Sequence, residues 1–183
     1  MSRLVVDRLQ GNAATGNKIT VPTGHSLIAP GHVLQVVQVL PSQLTLSVPA
    51  SGASNVNAAD MTLANTIFAF SGTIIPKNAN SKILIQLKLC LDAGSVNVEE
   101  YVSIFKGSTL LSSNLWYRRV AGHEPQTHVI NYLDSPTTTN SVQYDVRIGS
   151  GTGHTVYMNR NSSGTAANTW NNSSSLILME IGG

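Results

Sequence analysis

The clearest pattern along the chain is a two-residue alternation over residues 81–92. Ile83, Ile85, Leu87, Leu89 and Leu91 share one parity, while Lys82, Gln86, Lys88, Cys90 and Asp92 occupy the other. Successive side chains of a strand point to opposite sides of its sheet, so this period predicts a β-strand with one buried face. Leu84 alone departs from it, an aliphatic among polar positions. Five aliphatics on one face leave water only against an opposing layer, which predicts a central strand of a sandwich.

Similar alternations predict strands over residues 66–75, 98–105, 114–120, 127–133, 141–148, 155–159 and 175–181. Turn chemistry separates them, including Pro76-Lys77-Asn78-Ala79-Asn80, Lys106-Gly107-Ser108 and Ser135-Pro136. No segment carries a helical period of comparable quality. The expectation is an all-β protein, an antiparallel β-sandwich of the jelly-roll kind.

The first 40 residues read differently. Leu4, Val5, Val6 and Leu9 mark one short strand, and Ile19 and Val21 mark a second that Pro22 ends. Val33, Leu34 and Val36 belong to a third, within residues 32–40, that Pro41 stops. These pieces are too short to build a core alone, so they predict a β arm that gains burial from partner chains, and hence an oligomer. Residues 41–60 are rich in Ser, Ala and Asn, and within them Ser51-Gly52-Ala53-Ser54-Asn55 resembles a flexible connection. A boundary near residue 40 therefore divides an N-terminal attachment and trimerisation segment, 1–40, from a jelly-roll domain, 41–183.

Composition narrows the function. Charged residues are 11% of the 183, and the net charge of +2 comes from scattered Lys and Arg. No basic run is present to track a phosphate backbone, which argues against a nucleic-acid partner. Asp7 and Arg8 end the apolar run that starts at Leu4, so no signal-peptide core is expected, nor any membrane insertion. The expectation is synthesis in a cytoplasm. Cys90, the one cysteine, lies inside the central strand and reads as a packing residue.

Candidate chemistry is sparse. His128, Asp134 and nearby serines invite a hydrolase reading, but no Gly-x-Ser-x-Gly elbow accompanies them. Glu99 and Glu100 are the one close acidic pair, and neighbouring strand residues face opposite ways, so they cannot flank one cleft. Gly149-Ser150-Gly151-Thr152-Gly153 runs on into a strand where a phosphate loop needs Lys-Ser/Thr opening a helix; a hairpin turn with positive φ is expected there. His25 and His32 lack the neighbouring ligands of a metal site, and His123 and Glu124 read as a solvated turn. No catalytic residue, metal or other cofactor is expected. Trp116, Tyr117, Arg118 and Arg119 suit a subunit interface or receptor contact, and the polar stretch 159–172 carrying Trp170 suits an exposed recognition tip.

Three sets of residues also carry a family resemblance: Leu4-Val5-Val6-Asp7-Arg8-Leu9-Gln10-Gly11 with Ile19-Thr20-Val21-Pro22-Thr23-Gly24 and Pro30-Gly31-His32-Val33-Leu34-Gln35-Val36-Val37; Ile75-Pro76-Lys77-Asn78-Ala79-Asn80-Ser81-Lys82-Ile83; and Tyr132-Leu133-Asp134-Ser135-Pro136 with Ile177-Leu178-Met179-Glu180-Ile181. In these the chain resembles small bacteriophage virion proteins and fibre tips, known from marine and cyanobacterial phages, that join an N-terminal arm to a trimeric jelly roll similar to the tumour necrosis factor fold. The resemblance implies a non-enzymatic homotrimer on the outer surface of the virion, made in the host bacterial cytoplasm. With about 40 residues before the jelly roll, it implies a capsid decoration or cement protein bound to the major capsid protein. The alternative is a short tail fibre or spike that joins a tail protein and binds a host glycan.

Overall fold

The computed structural model describes residues 31–52, 60–93, 98–118, 126–162 and 174–183. They form ten strands: β1 (Val33–Val39), β2 (Leu44–Val48), β3 (Thr66–Ile74), β4 (Lys82–Ala93), β5 (Val98–Lys106), β6 (Thr109–Arg118), β7 (Gln126–Asp134), β8 (Val142–Ser150), β9 (His154–Met158) and β10 (Ser175–Ile181).

The pairing is nested. β5 pairs with β6, β4 with β7, β3 with β8, β2 with β9 and β1 with β10, all antiparallel. This is one long two-stranded ribbon, folded over so that its halves fall into two sheets. β10 and β9 pair with β4, and β5 pairs with β8, which closes those sheets. One has six strands, β1, β10, β4, β9, β2 and β7, and the other runs β3-β8-β5-β6. A folded-over antiparallel ribbon is the jelly roll, and the expected fold class stands.

The strand over 81–92 is β4, at the centre of the six-stranded sheet, with β7 along one edge and β10 followed by β9 along the other. Ile83, Ile85, Leu87, Leu89 and Leu91 are all fully buried and meet Val102, Ile104, Val146 and Ile148 of the opposing sheet in one core. Gly72 lies close under the opposing layer, where a Cβ would come within 2.9 Å of Leu176 Cδ2.

Buried carboxylates tie the sheets at both ends. At one end Asp134 of β7 accepts from Lys106 Nζ at 2.9 and 2.8 Å and from Tyr144 Oη at 2.8 Å. Burial, then the hydrogen bond to Asp134 and its charge, push the Tyr144 phenol well above the usual tyrosine range, so it stays a donor. At the other end Glu100 of β5 meets His154 of β9 at 2.7 Å.

Three expectations give way. The sequence pattern predicts no strand within residues 41–60, whereas Leu44–Val48 forms β2 and pairs along its length with β9. Its five residues are too short for their alternation to stand out among serines. β6 begins at Thr109, five residues before the predicted start, because Gly107 at φ 59 makes the turn after β5 so tight that Thr109, Leu110, Ser112 and Ser113 are drawn into the ladder. Residues 149–153 do not form a hairpin with positive φ. They cross from β8 in one sheet to β9 in the other, and the described glycines with positive φ are Gly31, Gly52 and Gly107. β1, within the 1–40 segment, pairs with β10 from Val33 to Val39.

Candidate functional site

The outer face of the six-stranded sheet explains Leu84. Directly cross-strand, Val36 of β1 lies opposite Met179 of β10, Met179 opposite Leu84 of β4, and Leu84 opposite Leu133 of β7. The result is an apolar row across four strands, in which Val36 is 56% and Leu133 48% exposed. Val129, two residues along β7 from Asn131, adds a further side chain at 52% exposure.

The next row along is Gln38, Ile177, Gln86 and Asn131, with Gln86 Nε2 donating to Asn131 Oδ1 at 3.3 Å. Together Gln86, Lys88, Val129, Asn131, Ser175 and Ile177 line a shallow open groove. Lys82 and Lys88 are the charged residues of this stretch of β4, and both are exposed. An uncovered sheet face that carries aliphatics in a connected row is the usual mark of a contact surface, whereas scattered single aliphatics are not.

Beyond this face, a second cluster joins the end of β9 to the start of β10. β9 and β10 follow one another along the same edge of β4. Asn159 closes the gap. Its N–H donates to Cys90 O at 3.1 Å, its Nδ2 donates to Pro41 O at 2.8 Å, and its Oδ1 accepts from Ser174 N at 3.0 Å and Ser174 Oγ at 2.6 Å. Cys90 N in turn donates to Ser174 Oγ at 2.9 Å. Two side chains thus supply the ladder bonds that the interrupted edge lacks. Asp92, also buried, accepts from Ser162 N at 2.7 Å and Ser162 Oγ at 2.9 Å, which fixes Ser162 just beyond β9.

A third constellation fixes the β3–β4 turn. Buried Glu180 accepts from Lys77 N at 2.7 Å, Asn78 N at 3.3 Å and Gln35 Nε2 at 2.6 Å. Burial alone would raise its pKa, but the Ser81 hydroxyl beside it and these three donors outweigh that and hold the carboxyl below the usual range.

The expected site residues divide accordingly. Val33 and Val36 are exposed and Leu34 half-buried on β1, the outermost strand of the sheet. Trp116, Tyr117 and Arg118 end β6, opposite Glu100, Glu99 and Val98 of β5. Leu4, Val5, Val6, Leu9, Ile19, Val21, Arg119 and Trp170 lie outside the described residues, as do His25, His123 and Glu124. His128 and Asp134 share the inner face of β7 but are opposite Leu89 and Ile83, roughly 20 Å apart at strand rise, so they cannot form one catalytic group. Glu100 is buried while Glu99 is half-buried on the other face, which separates that acidic pair as expected. Burial pushes the Cys90 thiol up against the pull of Lys88, which keeps it an unreactive packing residue.

Sequence reasoning missed Asn159 and Ser174. An Asn directly after an apolar strand was the available signal, and it read as loop composition. It also passed over the apolar row, although the one break in the β4 alternation pointed there.

Fold and surface define a class, a jelly-roll sandwich with an uncovered apolar sheet face. No protein-family model matches the sequence, and no curated protein sequence matches it. Among solved structures, the VP2 subviral particle of infectious bursal disease virus aligns with 91% of this chain and 37% of its own, at 11% identity and TM-score 0.48. The T13 particle of the same virus aligns with 90% of this chain and 39% of its own, at 9% identity and TM-score 0.44. The chain thus spans about two fifths of the length of those proteins. At these scores the likeness carries no functional inference, and the fold rests on the strands themselves.

Proposed function

We propose that the chain is a structural subunit of a bacteriophage particle that self-associates as a homotrimer through the outer face of its six-stranded sheet. The observation that carries this reading is the row Val36, Met179, Leu84 and Leu133, which is apolar across four strands and uncovered in the single chain. Each aliphatic side chain buried there would stabilise association by about 1–2 kcal/mol at ~25 cal/mol per Å². The arm residues Leu4 to Val21 and the β1 residues Val33 and Leu34 would add attachment to the major capsid protein, as a cement protein on the outside of the shell. In this role the chain needs no catalytic group, and several contacts per trimer act together through their high effective concentration.

The test is co-sedimentation of the purified chain with expanded shells of its phage that lack it. Saturable binding that raises the temperature of shell disruption is the expected result. A second reading has its own support. The polar sequence of residues 159–172, with Trp170, suits contact with a host glycan, and the buried bonds of Asn159, Ser174 and Asp92 anchor the described residues on either side of it. Adsorption of the isolated chain to host cells, with no shell binding, would replace the first reading with this one.

A further inference from the structure

Phe68 of β3 lies on the outer face of the four-stranded sheet, away from the face through which assembly is proposed. Tyr101, Phe105 and Tyr144 are fully buried and Phe70 nearly so, whereas Phe68 is 44% exposed. Simple alternation would bury it, because Phe68 shares the parity of Phe70 and Ile74, and both of those belong to the core. A bulge intervenes. The register of β3 against β8 shifts between Phe68 and Phe70, so that Ala69 and Phe70 both enter the core and Phe68 turns outward. Bulges re-aim side chains and gather beside functional sites, and this one gives up a regular ladder position to expose a ring.

The groups around that ring are polar and held in place. Arg147 of β8 is directly cross-strand from Phe68, and Asp145 lies two residues along β8, opposite Ser71. Arg147 Nε donates to Thr66 Oγ1 at 2.8 Å, while its Nη2 donates to Thr66 O at 2.9 Å and to Leu63 O at 3.2 Å. Three bonds fix the guanidinium plane and leave Nη1 to donate elsewhere. Asp145 Oδ1 accepts from Gln143 Nε2 at 2.7 Å, which orients the carboxylate and leaves Oδ2 as an acceptor. Ser71 and Thr73 continue this face of β3 with hydroxyls.

We propose that Phe68, Arg147 and Asp145 form a binding site for a neutral pyranose unit of a glycan. A pyranose presents a face of C–H groups and a rim of vicinal hydroxyls, each of which both donates and accepts. The Phe68 ring stacks on the C–H face. Asp145 Oδ2 accepts from one hydroxyl, and Arg147 Nη1 donates to its neighbour. A wholly apolar ligand would leave these two fixed polar groups unpaired, and a small ion would make no use of the ring. The opposite charges of Asp145 and Arg147 balance, which suits a sugar without a charge of its own. Because both polar groups are already held by the fold, little side-chain freedom is lost on binding. The site uses no residue of the 159–172 stretch, and it stays open when the six-stranded sheet assembles, so it rests on neither reading above.

Saturation-transfer NMR of the full chain tests it, with the methyl glycosides of glucose, galactose, mannose, rhamnose and N-acetylglucosamine as probes. At least one should receive transfer concentrated on the C–H protons of one ring face. Phe68→Ala should weaken that binding about tenfold, the loss of one stacking contact. Asp145→Ala should weaken it as well, while Phe68→Trp should keep it, since the larger ring offers the same stack. Phe68 is exposed, so its variants should melt at the temperature of the parent, which separates lost binding from lost folding. Trp170→Ala should leave the transfer unchanged. Transfer to none of the five glycosides, transfer that survives Phe68→Ala or Asp145→Ala at full strength, or transfer that Trp170→Ala abolishes would overturn the site.

Discussion

Replacing Gly149 with alanine is expected to destabilise the fold by about 3 kcal/mol, the upper end of overpacking costs. A Cβ at this position would lie 2.2 Å from Tyr101 Cζ, 2.4 Å from Cε2 and 2.4 Å from the hydroxyl. The ring has nowhere to retreat, because Tyr101 is fully buried and its hydroxyl donates to Asn65 O at 3.0 Å. Met61 and Leu110 pack on the same ring, and Arg147 holds the segment above through Thr66 O at 2.9 Å and Leu63 O at 3.2 Å. Since Gly149 is not among the glycines with positive φ, the cost is steric and not one of backbone conformation. Denaturant unfolding of Gly149→Ala, Tyr101→Leu and the double variant measures it. The double variant should be destabilised by less than the sum of the singles, because the smaller side chain makes room for the methyl group. Additive losses would place the cause elsewhere.

Asn159→Ala is expected to cost about 2–4 kcal/mol. The substitution leaves Pro41 O and Ser174 N without their partners at a buried site, and each orphaned group costs about 1–3 kcal/mol. Asn159 also sits at φ 57, where alanine is strained and glycine is not. Asn159→Gly therefore separates the two contributions. If the side-chain bonds dominate, the glycine variant remains within about 1 kcal/mol of the alanine variant, as the ordinary difference between these residues suggests. A glycine variant as stable as the parent would show that the bonds to Pro41 and Ser174 contribute nothing.

These two residues also mark the limit of what the sequence discloses. The period of β4 was readable because ten of its residues alternate without help from context, and the class of fold followed from it. Asn159 and Gly149 owe their importance to partners 118 positions away at Pro41 and across a ladder at Tyr101, which no local pattern encodes. β2 was hidden for a related reason, since Thr45 and Ser47 face outward on a five-residue strand and look like linker chemistry. Glu100 was correctly separated from Glu99 by strand parity, yet its pairing with His154 depends on the crossover between sheets that residues 149–153 make. Leu84 lies between these cases. Its misfit was visible in the sequence, but only the register of β1, β10 and β7 turns a single misplaced leucine into a surface.

That surface is the centre of the functional reading, and the mass of the chain in solution tests it most directly. Sedimentation equilibrium of the full chain at micromolar concentration should return three times the 19.4 kDa chain mass. Leu133→Lys, at a half-exposed position on the outer face of β7, should shift it to the single-chain mass while leaving the fold intact. A parent chain that stays at 19.4 kDa at every concentration, or a Leu133→Lys variant that remains trimeric, would contradict assembly through this face.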